Sequence, residues 1–407
     1  MRIATSLLWA VALLAVHAWG VGVGAAASAT GGGSSGPGAT ARDRPVLVLG
    51  SGGLIGRALV AWLRSQAFEV LEVKNRAHID LREPGALDRF NASRVQFVYF
   101  LACEVGGSKF LESSSEVQQL AIIRNNVRIY QTVLNWFEDE VVRQRSEEGG
   151  GVPMRGVFTS SYLQHMHNAY GSVKRIGEEW GAFIYITMWA SSLAQRRRRS
   201  PRATSLPPSP AARQLSTLKS VRLWNVYGYE RIGVKSHVLN DWIWSCVTAA
   251  TIPCVTDGLE YRQFMHADDV ASALGAMQRH FDSLDEVTDV SSGEWLQLRD
   301  LGALVRTGVV QSGEAPCTLT FSSTRAAKIA NGPAQRLRVE PNLGTPFHAA
   351  WKAERGAQRS LADGIGQLAS VYIADAAAEP QCRAGGKDDA ECAAAPISPA
   401  AVAAASR

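Results

Sequence analysis

Six cysteines in 407 residues, scattered at Cys103, Cys246, Cys254, Cys317, Cys382 and Cys392, leave two jobs undone. They have neither the spacing of metal ligands nor the density of a small disulfide scaffold, so no metal site is expected. A disulfide is open to this chain only in an oxidising compartment. A basic face is missing as well. The net charge is +5, but Arg196 to Arg199, Arg202 and Arg213 fall in one Pro/Ser-rich segment, so the excess is local and argues for no nucleic-acid partner. The first residues also lack the Arg- and Ser-rich composition of an organelle transit peptide, which leaves an organelle as the second choice for location.

What stands there instead is Arg2, the apolar run Leu7 to Val16, and small residues from Ala25 to Ala29 that suit a signal peptidase. Residues 1–28 read as a signal peptide or signal anchor for the secretory pathway, ER/Golgi lumen or beyond. An uncleaved segment would be a membrane anchor. Residues 29–44 read as a Gly/Ser-rich stem.

The chain is organised around Pro45 to Arg57, where the apolar run Val46 to Leu49 stops on Gly50 and turns into a helical pattern. Gly50, Gly53 and Gly56 give a tight turn, close approach of a ligand to backbone, and close packing of helix on strand. The N–H groups of that helix start face a pyrophosphate site, built from Gly50, Ser51, Gly53, Leu54, Ile55 and Gly56. Strand and helix patterns then alternate, which predicts parallel β-α units with ligands at the carboxyl ends of the strands. After the second strand, Phe68 to Val73, come Lys74 and Arg76 where the adenosine ribose would lie. An acid there would bond a 2′-hydroxyl, whereas cations suit a 2′-phosphate, so the pattern tilts from NAD toward NADP.

A third strand, Val95 to Ala102, ends in small residues. Asn125 and Asn126 interrupt an apolar helical pattern, and buried asparagines need partners: they cap neighbouring backbone or hold the turn at the fourth strand. That strand, Val157 to Ser161, ends in hydroxyls. Tyr170 and Lys174 follow, one helical turn apart on one face, where the ammonium lowers the phenol's pKa and lets it exchange protons near neutral pH. Residues 194–218 read as a disordered insertion, and the Ala/Pro-rich residues 375–407 as a disordered tail.

In this order, Gly50/Gly53/Gly56, Leu101-Ala102, Asn125-Asn126-Val127, Ser160-Ser161, Tyr170/Lys174, Arg222 to Gly228, Arg262 and His266 to Val270 resemble the extended short-chain dehydrogenases. Within them the chain is similar to the NAD-dependent epimerase/dehydratase family, over about residues 45 to 372. The resemblance implies an α/β fold, a Rossmann-type doubly wound parallel sheet with a smaller C-terminal substrate-binding lobe, within residues 45–374. It also implies NAD or NADP as cofactor, a nucleotide-sugar substrate and a homodimer. By it, Tyr170 is the base, Lys174 holds the nicotinamide ribose, and Ser161 or Ser160 bonds the reacting hydroxyl. Asp80 and Leu81 reach the adenine, Leu101, Ala102, Asn125 and Asn225 lie near the nicotinamide half or the substrate, and Arg262 meets the substrate pyrophosphate.

Two departures narrow the activity. The stretch from Ser161 to Tyr170 is shorter than the family's, and Tyr162-Leu163 follows Ser161 where dehydratases carry Thr-Asp-Glu and fucose-forming enzymes a cysteine. What remains is an epimerase, a reductase that releases its cofactor each turnover, or a silent dinucleotide-binding protein.

Overall fold

The computed structural model describes residues 44–107, 110–111, 114–146, 154–182, 217–322 and 338–384. The expected leader, all of the expected stem but Arg44, most of the insertion and residues 385–407 lie outside the described residues. Among the described residues no helix is long and apolar enough to cross a membrane, and no cluster of His, Cys, Asp or Glu is arranged to hold a metal.

Six strands form one parallel sheet: β1 (Val46–Leu49), β2 (Val70–Val73), β3 (Phe97–Phe100), β4 (Arg155–Ser161), β5 (Leu218–Leu223) and β10 (Val287–Val290). Their order across the sheet is β10-β5-β4-β3-β1-β2, every neighbour parallel. The chain leaves β1 for β2 on one side and returns to β3 on the other, so the strand order reverses between β1 and β3. Crossovers diverge there and leave a crevice over the carboxyl ends.

Side chains alternate across this sheet, and each face buries a different set of helices. Val46, Val48, Phe97, Tyr99, Val157 and Val221 pack with Leu59, Val60 and Leu63 of α1 (Leu54–Ser65) and with α5 (Ala267–Arg279). Leu47, Leu49, Val98, Phe100 and Phe158 pack instead with Tyr130, Val133, Leu134 and Phe137 of α2 (Glu116–Ser146), and with Ala169 and Val173 of α3, residues 169–182. The fold is the expected Rossmann-type doubly wound α/β sheet.

A third core closes the C-terminal lobe. It joins α4 (Val238–Ala249), β7 (Thr251–Cys254), α6 (Leu298–Gln311) and α8 (Leu361–Ala384) through Leu239, Ile243, Leu301, Val305, Ile365 and Tyr372. Cys246 and Cys317 form a disulfide inside it, while Cys103 and Cys254 are free. Cross-linking residues 71 positions apart removes unfolded-state entropy of about 4 kcal/mol in the chain-entropy account. Cys317→Ser is therefore expected to melt several degrees below the parent chain; superimposable melting curves would contradict that.

Two boundaries are corrected. The expected insertion ends before residue 218, because Leu218 opens β5 and is buried between β4 and β10. The expected tail does not begin at residue 375, since α8 runs through Ala384 and Asp375 accepts a 2.9 Å hydrogen bond from Tyr229. An alanine-rich segment looks like low complexity, but alanine is also the best helix former.

Candidate functional site

The crevice above β1 and β3 is floored by the glycine turn. Gly50 has φ +92°, a left-handed conformation that a side chain disfavours, and a Cβ there would lie 2.8 Å from the Ala102 nitrogen. A Cβ on Gly56 would lie 2.2 Å from the Gly50 oxygen, so this glycine lets helix and strand touch. Gly53 differs: a Cβ would meet only the Gly50 oxygen at 3.4 Å, and this residue caps α1 without any side-chain hydrogen bond. The first turn of α1 holds no acid. Its N–H groups are thus left to a ligand, with the helix dipole adding about half a positive charge. Gly50, Gly53, Leu54, Ile55 and Gly56 all line the crevice, whereas Ser51 lies beneath it with its Oγ buried and unpaired. An open cradle over an uncapped helix start fits a dinucleotide pyrophosphate.

Beyond the carboxyl end of β2, where the sequence places the adenosine ribose, Lys74, Arg76, Asp80 and Leu81 form the crevice wall. Arg82 grips Asp80 with its Nε and Nη2, which holds that carboxyl down at about 2. The Arg76 Nη2 lies 3.4 Å from Glu104, a residue of the loop after β3 that the sequence did not single out. Asn126 fixes this loop, accepting from the Glu104 N–H at 2.7 Å and donating to its carbonyl at 2.9 Å. The paired asparagines thus hold the loop after β3, not the turn at the fourth strand. Asn125 does not line the crevice; its amide donates to Glu104 Oε2 at 2.7 Å.

Over β3 and β4 the side chains expected to react meet. Leu101 and Ala102 form one wall, and Thr159, Ser160 and Ser161 end β4 beside them. Helix α3 presents Tyr170 and Lys174 to this point, fastened to β5 by a two-pronged pair in which Arg222 donates to Glu178 at 2.8 and 2.7 Å. Lys174 is buried, donates from Nζ to the Thr159 carbonyl at 2.9 Å, and sits 5.7 Å from the Tyr170 ring centre. The Ser161 hydroxyl is near enough to the Tyr170 phenol to favour its ionised form, whereas Ser160 Oγ is buried without a partner. Adjacent strand residues face opposite sides, so only one serine can reach the phenol, and it is Ser161.

The electrostatics depart from the sequence expectation. Burial pushes the Tyr170 phenol above its ordinary value, and Lys174 and Ser161 pull against that without cancelling it. Burial also disfavours the Lys174 ammonium, but Cys103, Tyr170 and Glu178 outweigh it and leave that pKa raised. The lysine stays charged, yet the phenol is not tuned to neutrality by this chain alone.

The crevice wall beyond Ser161 is aromatic. Tyr162, in the short turn after Ser161, stacks on Trp224 with ring centres 4.4 Å apart and planes 9° from parallel. Asn225 lines this wall and donates to the Gln263 carbonyl at 2.9 Å, while Arg262 lines it from β8 (Tyr261–Arg262) and donates to the Tyr261 carbonyl. Tyr162 and Trp224 escaped sequence reasoning, since aromatics beside a strand read first as core.

The family model described as NAD dependent epimerase/dehydratase family matches residues 46–181 and 211–293. A comparison with curated protein sequences returns no match. Among solved structures the chain is similar to a GDP-L-fucose synthetase from Naegleria fowleri bound to NADP, with TM-score 0.56 and 15% identity over 84% of this chain and 97% of that one. It is similar to the UDP-glucose 4-epimerase of Thermotoga maritima, with TM-score 0.52 and 16% identity over 82% and 99%. An NAD-dependent NDP-hexosamine 5,6-dehydratase of tunicamycin biosynthesis gives TM-score 0.53 and 19% identity over 81% and 97%. The glycine turn and the tyrosine-lysine pair both fall within the matched residues, and the chain belongs to the NAD dependent epimerase/dehydratase family and is an NAD(P)-dependent enzyme of it.

Proposed function

We propose that this enzyme is an epimerase that acts on a nucleotide sugar through a keto intermediate. The observation that carries the reading is the meeting of Ser161, Tyr170 and Lys174 at the carboxyl end of β4, beside the open start of α1. Tyr170 takes the proton of a sugar hydroxyl, Ser161 orients that hydroxyl, and the Lys174 ammonium stabilises the phenolate and holds a ribose. The bound nicotinamide supplies the acceptor and donor of hydride. Arg262 offers a guanidinium fork to the substrate pyrophosphate. A thermal-shift screen with NAD, NADP and a panel of nucleotide sugars tests this, because ligands that favour the folded state raise its stability. Hydride exchange with a responding sugar must follow; none with any of them would leave a dinucleotide-binding protein without this chemistry.

The cations Lys74 and Arg76 on the adenosine wall favour a second reading, an NADPH-dependent reductase. NADP is expected to bind more tightly than NAD, and Lys74→Glu with Arg76→Ala to narrow or reverse the difference. Equal affinities unmoved by the double change would defeat it. Release of cofactor on gel filtration separates reductase from epimerase.

For location we propose the secretory pathway, with residues 1–28 as signal peptide or membrane anchor. The Cys246–Cys317 disulfide suits an oxidising lumen, and Asn91 of the sequon Asn91-Ala92-Ser93 is exposed. Expressed in a eukaryotic cell, the chain should carry a glycan that Asn91→Gln removes; an unglycosylated cytosolic product with Met1 intact would count against it. A homodimer is the expected assembly. Val117 and Leu120, 76% and 66% exposed on α2, give it an apolar surface to cover, and light scattering at micromolar concentration reads the mass.

A further inference from the structure

We propose that Glu104 is a specificity-determining residue that selects against a 2′-phosphate on the dinucleotide. The inference rests on the reading above that Lys74 and Arg76 flank the adenosine ribose, and deepens it. The acid is the fixed member of its cluster. Asn126 holds its backbone at both N–H and carbonyl, and Asn125 holds Oε2 at 2.7 Å. Two cations come to it from separate elements. Arg76 Nη2, from the loop after β2, lies 3.4 Å from Oε2, and Lys235 Nζ, from the C-terminal lobe, lies 3.9 Å from Oε1. Both cations are more than half exposed, whereas the Glu104 side chain is only 19% exposed.

A 2′-phosphate arriving at Arg76 meets this carboxylate in two ways. It must share or take a guanidinium that already neutralises Glu104, and it carries between one and two negative charges up against a fixed third. A 2′-hydroxyl carries no charge and meets neither cost. Lys74 and Arg76 by themselves advertise NADP, and Glu104 subtracts from that preference without changing the site's fit to NAD. A cofactor assignment made from the loop after β2 alone therefore overstates NADP.

Calorimetric titration of the full chain with NAD and with NADP tests the assignment. Glu104→Gln keeps the side chain's volume and an acceptor for Asn125 while removing its charge. It should tighten NADP binding by about three- to tenfold and change NAD by less than about twofold, as expected for one partly exposed charge. The gain should shrink at high salt and in an Arg76→Gln background, neither of which a purely structural role would produce. Glu104→Asp, which keeps the charge but withdraws it from Arg76, should give a smaller gain of the same sign, and it serves as the test if Glu104→Gln folds poorly. Equal changes for both dinucleotides, or a gain indifferent to salt and to Arg76, overturn the proposal while leaving the ribose placement standing. A Lys74→Glu, Arg76→Ala chain with undiminished NADP affinity removes the placement itself, and the proposal with it.

Discussion

Replacing Tyr170 by Phe is expected to lower turnover by about a hundred- to ten-thousand-fold, the usual contribution of a general acid-base group, while leaving dinucleotide binding nearly intact. The ring stays, so the packing of α3 against β4 stays with it; only the hydroxyl, which Ser161 helps to ionise, is lost. Because that hydroxyl is asked to act in the transition state alone, the rate constant for hydride transfer should fall with little change in substrate affinity. Single-turnover measurement on a responding nucleotide sugar reads this directly. A tyrosine that merely packs would give parental rates in Tyr170→Phe, and the assignment of the base would then be wrong. Ser161→Ala should lose less, since it removes an orienting hydroxyl and leaves the phenol in place. Ser160→Ala, which deletes an Oγ with no partner, should lose least.

That ranking of the two serines was not available from sequence, and the reason is geometric. Both stand at the end of one apolar strand, and nothing local says which of two alternating directions faces the helix. The tyrosine-lysine pair was legible because one helical turn puts positions four apart on one face whatever the surroundings. The glycine turn was legible for a similar reason: Gly56 answers to the Gly50 oxygen six positions back, and Gly50 to its own left-handed φ, although the Ala102 backbone that also crowds Gly50 lies far along the chain. Glu104 was invisible, because its meaning comes from Arg76, 28 positions away, and from Lys235 on another lobe. Asn126 was half legible. Its need for partners could be stated in advance, but the loop it holds, 22 positions upstream, could not. The start of the tail was misplaced for a different cause, since alanine-rich composition serves helix and disorder alike, and the helix that docks through Ile365, Leu368 and Tyr372 carries on to Ala384.

Lys174→Met is expected to cost at least about a hundredfold in rate at neutral pH, and it should also move the pH profile. The sign follows from the balance at Tyr170. Burial raises the phenol's pKa, and the Lys174 ammonium is the first group that opposes it. A base works only when deprotonated, so the rate should climb with pH toward a plateau, and removing the ammonium should push that limb to higher pH. Part of the lost rate should therefore return in alkaline buffer, which loss of fold would not allow. Stability should drop too, by about 1–3 kcal/mol, because the Thr159 carbonyl loses a buried donor. Lys174→Arg, which keeps a charge the pocket was not shaped for, separates the effects: it should hold the limb nearer the parent position even where its rate is low. Dinucleotide affinity should fall in Lys174→Met and not in Tyr170→Phe, because only the lysine is assigned a second bond, to the ribose. A Lys174→Met enzyme with the parent's pH limb and affinity would show that the ammonium neither tunes the phenol nor holds the cofactor, and that its pairing with Thr159 is its whole purpose.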